Sequence, residues 1–302
     1  MYLRILCPII CLISVVGVQA ATFAQSESKT AARKVFETNE GKVFGIKALV
    51  KLDASMQGKQ VINRELPAYG IGTVIAKDLL VASYRTIKPR PNIQGLGRAQ
   101  AQGLKINTEV KEIKLIDGSG EEFDAKLVLH DEDLDLAFVA LDRNGENAES
   151  WACEPVNISE DIELSHLDDA VFLSRAGESM RFQPSVRLGQ VTTILKRPRK
   201  LYAMNTLVLG GAAFNIQGEY VGIGIRKKSG SGGEFSAILP SKYIRKLVPQ
   251  AIEKANSVDS EAEEKTTDTE EPRKEKPAAE SSEDQESNGG DVEKEDSGED
   301  KK

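Results

Sequence analysis

The chain predicts an all-β protein, a barrel or sandwich closed by one C-terminal helix, on three observations. Apolar residues alternate at Phe44, Ile46, Ala48, Val50 and Leu52, the period of a strand with one buried face. Short apolar runs then recur along the body of the chain, punctuated by Gly and Asp turns. Only residues 242–254 carry a helical stripe, with Tyr243, Ile244, Leu247, Val248 and Ile252 on one face. Many short strands followed by a closing helix argue this class, and no internal repeat is evident.

Taken in order, the first strand also carries Val43 and Leu49 on its other face, so neither face is fully wet. Residues 70–75 lead through a Lys77-Asp78 turn into 79–82, a hairpin. Residues 110–116 and 123–129 flank Asp117-Gly118, a turn pair whose backbone tolerates positive φ, which predicts a second hairpin. Further strands are predicted at 170–173, 191–195, 214–216, 220–225 and 235–238.

The ends of the chain differ from its body. Arg4, an apolar run over 5–18 and a Val-Gln-Ala exit at Ala20 read as a secretory signal peptide over 1–20, with cleavage after Ala20 or after Ala24. The run is shorter than the roughly 18–20 apolar residues of a membrane span. The expected product is exported, periplasmic or secreted, with no membrane attachment after cleavage. Cys7 and Cys11 lie in the segment to be removed, which leaves Cys153 alone and allows no intramolecular disulfide. Residues 21–41 read as a linker, 42–254 as the folded body and 255–302 as an acidic tail. From 259 to 302 there are 18 acidic and 7 basic residues, a net of −11 against −7 for the whole chain. The tail has almost no large apolar side chains, so it is expected to be disordered. It either solubilises the chain, folds back on the basic run Lys196-Arg197-Pro198-Arg199-Lys200, or recruits a basic partner.

The sequence Leu-Gly-Gly-Ala-Ala-Phe-Asn-Ile-Gln-Gly-Glu-Tyr-Val-Gly-Ile at 209–223 resembles the nucleophile strand of the HtrA/Deg branch of trypsin-like serine proteases. There, Gly-Asn-Ser-Gly-Gly-Pro precedes small or apolar residues with an Asn, a Gly-Glu turn and a Gly-Ile. Gly210, Gly211, Asn215, Gly218, Glu219, Gly222 and Ile223 match without a gap, and Leu209 falls where the serine would stand. Gly70-Ile71-Gly72-Thr73-Val74-Ile75 is similar to the family's Gly-Ser-Gly strand, and residues 80–87 to its Leu-Thr-Asn-Asn-His-Val-Val. Residues 117–128 resemble its Asp-Gly, Phe-Asp-Ala-Lys-Val-Val hairpin, 133–139 its Thr-Asp-Leu-Ala-Val strand, and 235–240 its Gly-Phe-Ala-Ile-Pro. The resemblance spans 42–252 and implies two six-stranded β-barrels followed by a C-terminal helix. Where the family usually carries a PDZ domain the sequence reads as the acidic tail, so peptide capture by a PDZ groove is not expected.

A serine protease needs a hydroxyl nucleophile, an imidazole base, a carboxylate to orient it and backbone donors for the oxyanion. The resemblance puts Arg85 at the histidine position, Asp135 at the aspartate position and Leu209 at the serine position. Leucine offers neither proton nor lone pair, and a guanidinium keeps its proton, so neither replaces the residue it stands for. The family's Gly-Asn-Ser becomes Leu207-Val208-Leu209, and a β-branched Val208 restricts the backbone that would aim oxyanion donors. No catalytic residue is expected, and Arg85 is expected either to pair with Asp135 or to point to solvent.

Other chemistry is weaker. Ser231 lies in a Ser-Gly-Ser-Gly-Gly run that reads as a flexible turn. His130 and His166 lack Cys or Glu partners at ligand spacing, so no metal is expected, and nothing implies a cofactor. Cys153 beside Trp151 is a packing residue or a lone thiol nucleophile. Asn157-Ile158-Ser159 is a glycosylation sequon where the host has that machinery. The basic run has no interleaved aromatics and gives no nucleic-acid stacking platform. The reading is an exported pseudoprotease that binds or regulates a protein or peptide without hydrolysis. The alternatives are a hydrolase rewired around Ser231 or Cys153 with His130 or His166 as base, and an acidic-tail interaction protein carried by an inert barrel.

Overall fold

Antiparallel pairing closes two six-stranded barrels. The first runs β1 (Val43–Met56), β2 (Lys59–Ala76), β3 (Leu79–Ser83), β4 (Leu104–Ile116), β5 (Glu122–Asp131) and β6 (Leu136–Leu141), in the spatial order β1-β2-β3-β6-β5-β4. The second runs β7 (Asp169–Arg175), β8 (Pro184–Leu195), β9 (Leu201–Met204), β10 (Ala212–Asn215), β11 (Tyr220–Lys228) and β12 (Glu234–Pro240), in the order β10-β11-β12-β9-β8-β7. The computed structural model describes residues 27–89, 104–228 and 233–267, with side chains up to 257. The expected signal peptide over 1–20, Ser231 and the tail beyond 267 lie outside the described residues.

Local chemistry sets the turns. Met56 pairs with Lys59 across Gln57-Gly58, both at positive φ (51° and 79°), the two-residue turn whose twist suits a hairpin. The β4–β5 turn forms as predicted, but its positive φ falls on Gly120 (92°), not Gly118. The reason is Asp117, whose Oδ1 accepts the backbone N–H groups of Ser119, Gly120 and Glu121 and so coils a five-residue loop.

Three apolar clusters explain the strand patterns. Phe44, Ile46, Ala48 and Val50 fill the first barrel with Leu80, Ala82, Ala137 and Val139. Ala170, Phe172, Tyr202, Val221 and Ile238 fill the second. Between the barrels, Leu79, Val81, Leu136 and Phe138 meet Leu173, Phe214, Ile223 and Ile225. β3 and β6 are therefore buried on both faces, which is why they read as unbroken apolar runs. Each large side chain so buried contributes about 1.5–3 kcal/mol.

The helices depart from the sequence reading. Residues 27–39 form α1, inside the expected linker, and place Ala32, Val35 and Phe36 on the inter-barrel cluster. That stripe is three residues wide amid charges, too short to stand out by periodicity. A single turn, α2 (Tyr84–Ile87), follows β3. The predicted closing helix is two, α3 (Ser241–Arg245) and α4 (Val248–Thr267), with α4 continuing past 254. The break sits just ahead of Pro249, which lacks an N–H and is tolerated only in a helix's first turn.

Candidate functional site

Of the three positions singled out by sequence, Arg85 and Asp135 meet at the seam between the barrels, and the turn that carries Leu209 packs against β2 across it. Asp135 enters β6 with φ 59°, a left-handed conformation that Asp adopts more readily than most residues, and its side chain is fully buried. Its carboxylate is held by three donors. Ser83 Oγ donates to Oδ2 at 2.9 Å, the Arg85 backbone N–H to Oδ1 at 2.9 Å, and the Arg226 backbone N–H to Oδ2 at 2.9 Å. Tyr84 N–H adds a bond to the Asp135 carbonyl at 3.2 Å. The first amides of α2, which have no partner within a single helical turn, thus close on Asp135. Because Arg226 belongs to β11, this one side chain ties the two barrels together. Burial pushes the Asp135 pKa up, opposed by the Arg226 and Arg85 amides and the Ser83 hydroxyl.

Arg85 follows neither expected alternative, since it does not ion-pair with Asp135 and does not point freely to solvent. Its guanidinium Nη1 lies 2.8 Å from Glu234 Oε1 on β12. The carboxylate of Asp135 already faces two amides and a hydroxyl, so the guanidinium turns to the next acid across the seam. Arg226 approaches the same Glu234 at 3.8 Å. Further along, Asp133 accepts from Arg199 at 2.5 Å and pairs with Lys227 at 3.1 Å, and these two bonds hold its carboxyl below the usual range. Arg199 comes from the basic run 196–200, which forms the turn between β8 and β9. Charges of both signs thus lace the seam over the buried Asp135.

Leu209 occupies the second position of a tight turn in which Gly211 N–H donates to Val208 O at 3.1 Å. Gly210, the third, has φ 75°, the conformation that such a turn demands of its third residue and that glycine adopts without cost. A Cβ on Gly210 would lie 2.8 Å from Ile71 O, so the turn presses on β2 of the first barrel. Gly210 N–H donates to Gly224 O at 2.7 Å, and Gly224 N–H to Gly211 O at 3.1 Å. Leu207 and Val208 pack against the core of the second barrel, and Leu209 is half-buried. Pairing of β11 with β10 ends at Ile223, while that with β12 continues to Lys228. Past Gly224 that side of β11 has no strand partner among the described residues, and its first N–H, that of Arg226, is taken by Asp135 Oδ2.

The other candidates are scattered. Cys153 Sγ donates to Gly41 O at 3.3 Å, and burial raises its thiol to about 11, so it is protonated at neutral pH. The cavity beside it has no histidine in its walls. His130 is exposed and stacks on Tyr84 with ring centroids 4.4 Å apart, and His166 is exposed in a turn. Among the described residues no group of three His, Cys, Asp or Glu is placed to hold a metal ion. No described helix is long and apolar enough to cross a membrane.

Sequence reasoning missed Ser83, Arg226 and Glu234. Ser83 sits two residues before Arg85 at the end of a buried strand, a small polar residue in an apolar run, which was a usable signal. Arg226 acts through its backbone and Glu234 through tertiary proximity, so neither leaves a local pattern. No protein-family model matches the chain and no curated protein matches it. Its two closed six-stranded antiparallel barrels with a C-terminal helix make it an all-β double-barrel protein of trypsin-like architecture.

Proposed function

We propose that the chain is an exported pseudoprotease related to the HtrA/Deg proteases, which binds or regulates a protein or peptide without cleaving it. The observation that carries this reading is the seam itself. The positions that the resemblance assigns to a triad lie along it, and one holds a leucine on a tight turn, one an arginine paired with Glu234, and only Asp135 keeps the matching residue. A carboxylate receiving two amides and a hydroxyl braces the barrels and has no imidazole to orient. Beyond the Arg226 N–H that Asp135 takes, one side of β11 has no strand partner among the described residues, which supports peptide capture by main-chain pairing, a mode that needs no triad. The Cys153 thiol, held protonated away from any histidine in its cavity, does not favour a rewired hydrolase.

The test is labelling of the intact chain by a fluorophosphonate probe, with Ser231→Ala and Arg85→His/Leu209→Ser alongside. The expected result is no labelling of the wild type and little peptide hydrolysis by the double variant. Wild-type labelling that disappears in Ser231→Ala would overturn the reading in favour of a recruited nucleophile. Deleting residues after Ser257 and repeating partner capture from the exported fraction separates binding by the seam from binding by the acidic tail.

A further inference from the structure

The first barrel carries a sheet that extends beyond it. β1 pairs with β2 as far as Met56↔Lys59 and with β4 as far as Met56↔Leu104. β3, however, joins β2 only between Gly72 and Ala76, and β5 joins β4 only between Ile113 and Ile116. Residues 50–56, 59–71 and 104–112 therefore stand as a three-stranded arm whose two outer edges have no strand partner among the described residues. The two edges differ. β2 is bulged where Ala54 pairs with Ile62 and Ser55 with Gln60, and it carries Pro67, which has no N–H to donate. Both devices blunt an edge. β4 has neither over residues 104–110. Its register against β1 runs unbroken from Met56↔Leu104 to Val50↔Val110, and the irregularity comes only beyond, where Leu49 pairs with Glu112. Among the described residues the backbone of 104–110 bonds to no strand but β1, and a groove of about 480 Å³ runs beside residues 107–113.

We propose that this edge pairs with the same edge of a second copy of the chain, two antiparallel β4 strands meeting about a two-fold axis at Asn107. Asn107 is the midpoint of the unbroken stretch, so this register uses all of it. It sets Lys105 opposite the partner's Glu109, Leu104 opposite the partner's Val110 and Ile106 opposite the partner's Thr108, each pair occurring twice. The pairs also agree in face. Leu104, Ile106, Thr108 and Val110 share the side of Met56, Ala54, Leu52 and Val50, while Lys105, Asn107 and Glu109 share that of Ser55, Asp53 and Lys51. Leu104, Ile106 and Val110 are half-buried and gain cover on pairing, and Lys105, Asn107 and Glu109 are exposed. The charges are available. Lys105 has no ion-pair partner among the described residues, and Glu109 meets Lys111 at 2.8 Å through one oxygen, which leaves the other as an acceptor. Opposite charges directly across a strand pair stabilise it, and like charges destabilise it. Moving the axis one residue toward Leu104 shortens the ladder and leaves both charges unmatched, and moving it the other way runs Lys105 onto the irregular stretch beyond Val110. A strand from another protein would give no reason for a charge pattern that is complementary to itself about one residue.

The full chain is measured by analytical ultracentrifugation over a concentration series, because so short a contact belongs to the small, transient class. The expected result is a monomer–dimer equilibrium. Lys105→Glu and Glu109→Lys each set like charges across the axis twice and weaken the dimer about tenfold. Thermal unfolding is little changed in either, since both side chains are exposed. Mixed in equal amounts, the two variants restore opposite charges at both pairs and recover most of the association. The double variant Lys105→Glu/Glu109→Lys recovers it alone. A local loss of structure is not rescued by mixing, so recovery isolates the contact itself. A wild type that stays monomeric throughout the series overturns the proposal. So does a dimer that neither charge variant weakens, which places the contact elsewhere, or a mixture no more associated than its two components.

Discussion

Two buried charges join the barrels, and they are finished to different degrees. Asp135 meets two backbone N–H groups and a hydroxyl, two of the donors from the first barrel and one from the second. Arg175 meets two carbonyls, those of Val43 and Glu40, and leaves one nitrogen buried without a hydrogen-bond partner among the described residues. The first is a fully paired joint, and the second is a partly paired one on which Asp117 and Glu40 act only through space. The difference teaches that a buried charge can join two barrels either by filling its hydrogen-bonding capacity or by leaving part of that capacity unused.

The sharpest way to break the comparison is to remove each charge. Asp135→Leu strands two amides and a hydroxyl inside the seam, and each buried donor left unsatisfied costs about 1–3 kcal/mol. The expected loss exceeds about 3 kcal/mol by urea denaturation. Arg175→Met removes a charge whose burial is poorly compensated and strands only two carbonyls, so its expected cost is about 1–2 kcal/mol. If Arg175→Met proved the costlier of the two, Arg175 would be the structural joint and the contrast would fail.

Titration gives the same comparison a sign. Burial raises the Asp135 pKa, so the folded state binds this proton more tightly than the unfolded chain does. Its favourable contribution is fully present below the unfolded value of about 3.9 and is lost as pH rises through the folded value. Asp133 and Asp124 have lowered values, and their contributions instead appear above the unfolded value and fade as pH falls. Asp135→Asn retains those two groups, so they cancel when it is compared with the wild type. The stability of wild type relative to Asp135→Asn is expected to grow as pH falls toward 3.9. A difference that shrinks on acidification would mean that the carboxylate is stabilised by its three donors more than it is penalised by burial.

The turn at Leu209 is a smaller joint on the same seam. Gly210→Ala imposes a side chain at φ 75° and sets its Cβ 2.8 Å from Ile71 O, a backbone atom that yields only if the barrels part. Strain of this kind costs about 1–3 kcal/mol. The expected result is a lower thermal midpoint with fluorescence of Trp151 unchanged, since that residue lies on the other contact. A change at Trp151 would mean that the two inter-barrel contacts are coupled.

Much of the fold was legible because strands with one or two buried faces leave local patterns. β1 alternates, β3 is apolar up to its final Ser83 and β6 is apolar throughout, since each is sandwiched between a barrel interior and the other barrel. The first half of β2 was not legible, for residues 59–67 are exposed and carry no burial pattern at all. β9, four residues long, was too short to register. Asp135 was legible from its neighbours Leu134, Leu136 and Ala137, but the partners of Arg85 and Arg175 were not. A guanidinium reaches far from its own backbone, and Glu234 is 149 positions away from Arg85 while Val43 is 132 from Arg175. The sequence marks an arginine as remarkable by position and says nothing of where its charge goes.

The smallest effect tests that last distinction. The Arg85 and Glu234 side chains are 18% and 43% exposed, so their ion pair is screened on one side and contributes at most about 1 kcal/mol. A double-mutant cycle of Arg85→Ala and Glu234→Ala is expected to return a coupling below that figure, diminished further in high salt. The Arg85 N–H that reaches Asp135 belongs to the backbone and survives the substitution, so the Asp135 joint stays intact in both single variants. A coupling well above 1 kcal/mol would mean that the pair is shielded from solvent and helps to lock the seam. In that case Arg85, not Asp135 alone, would hold the barrels where a protease would place its base.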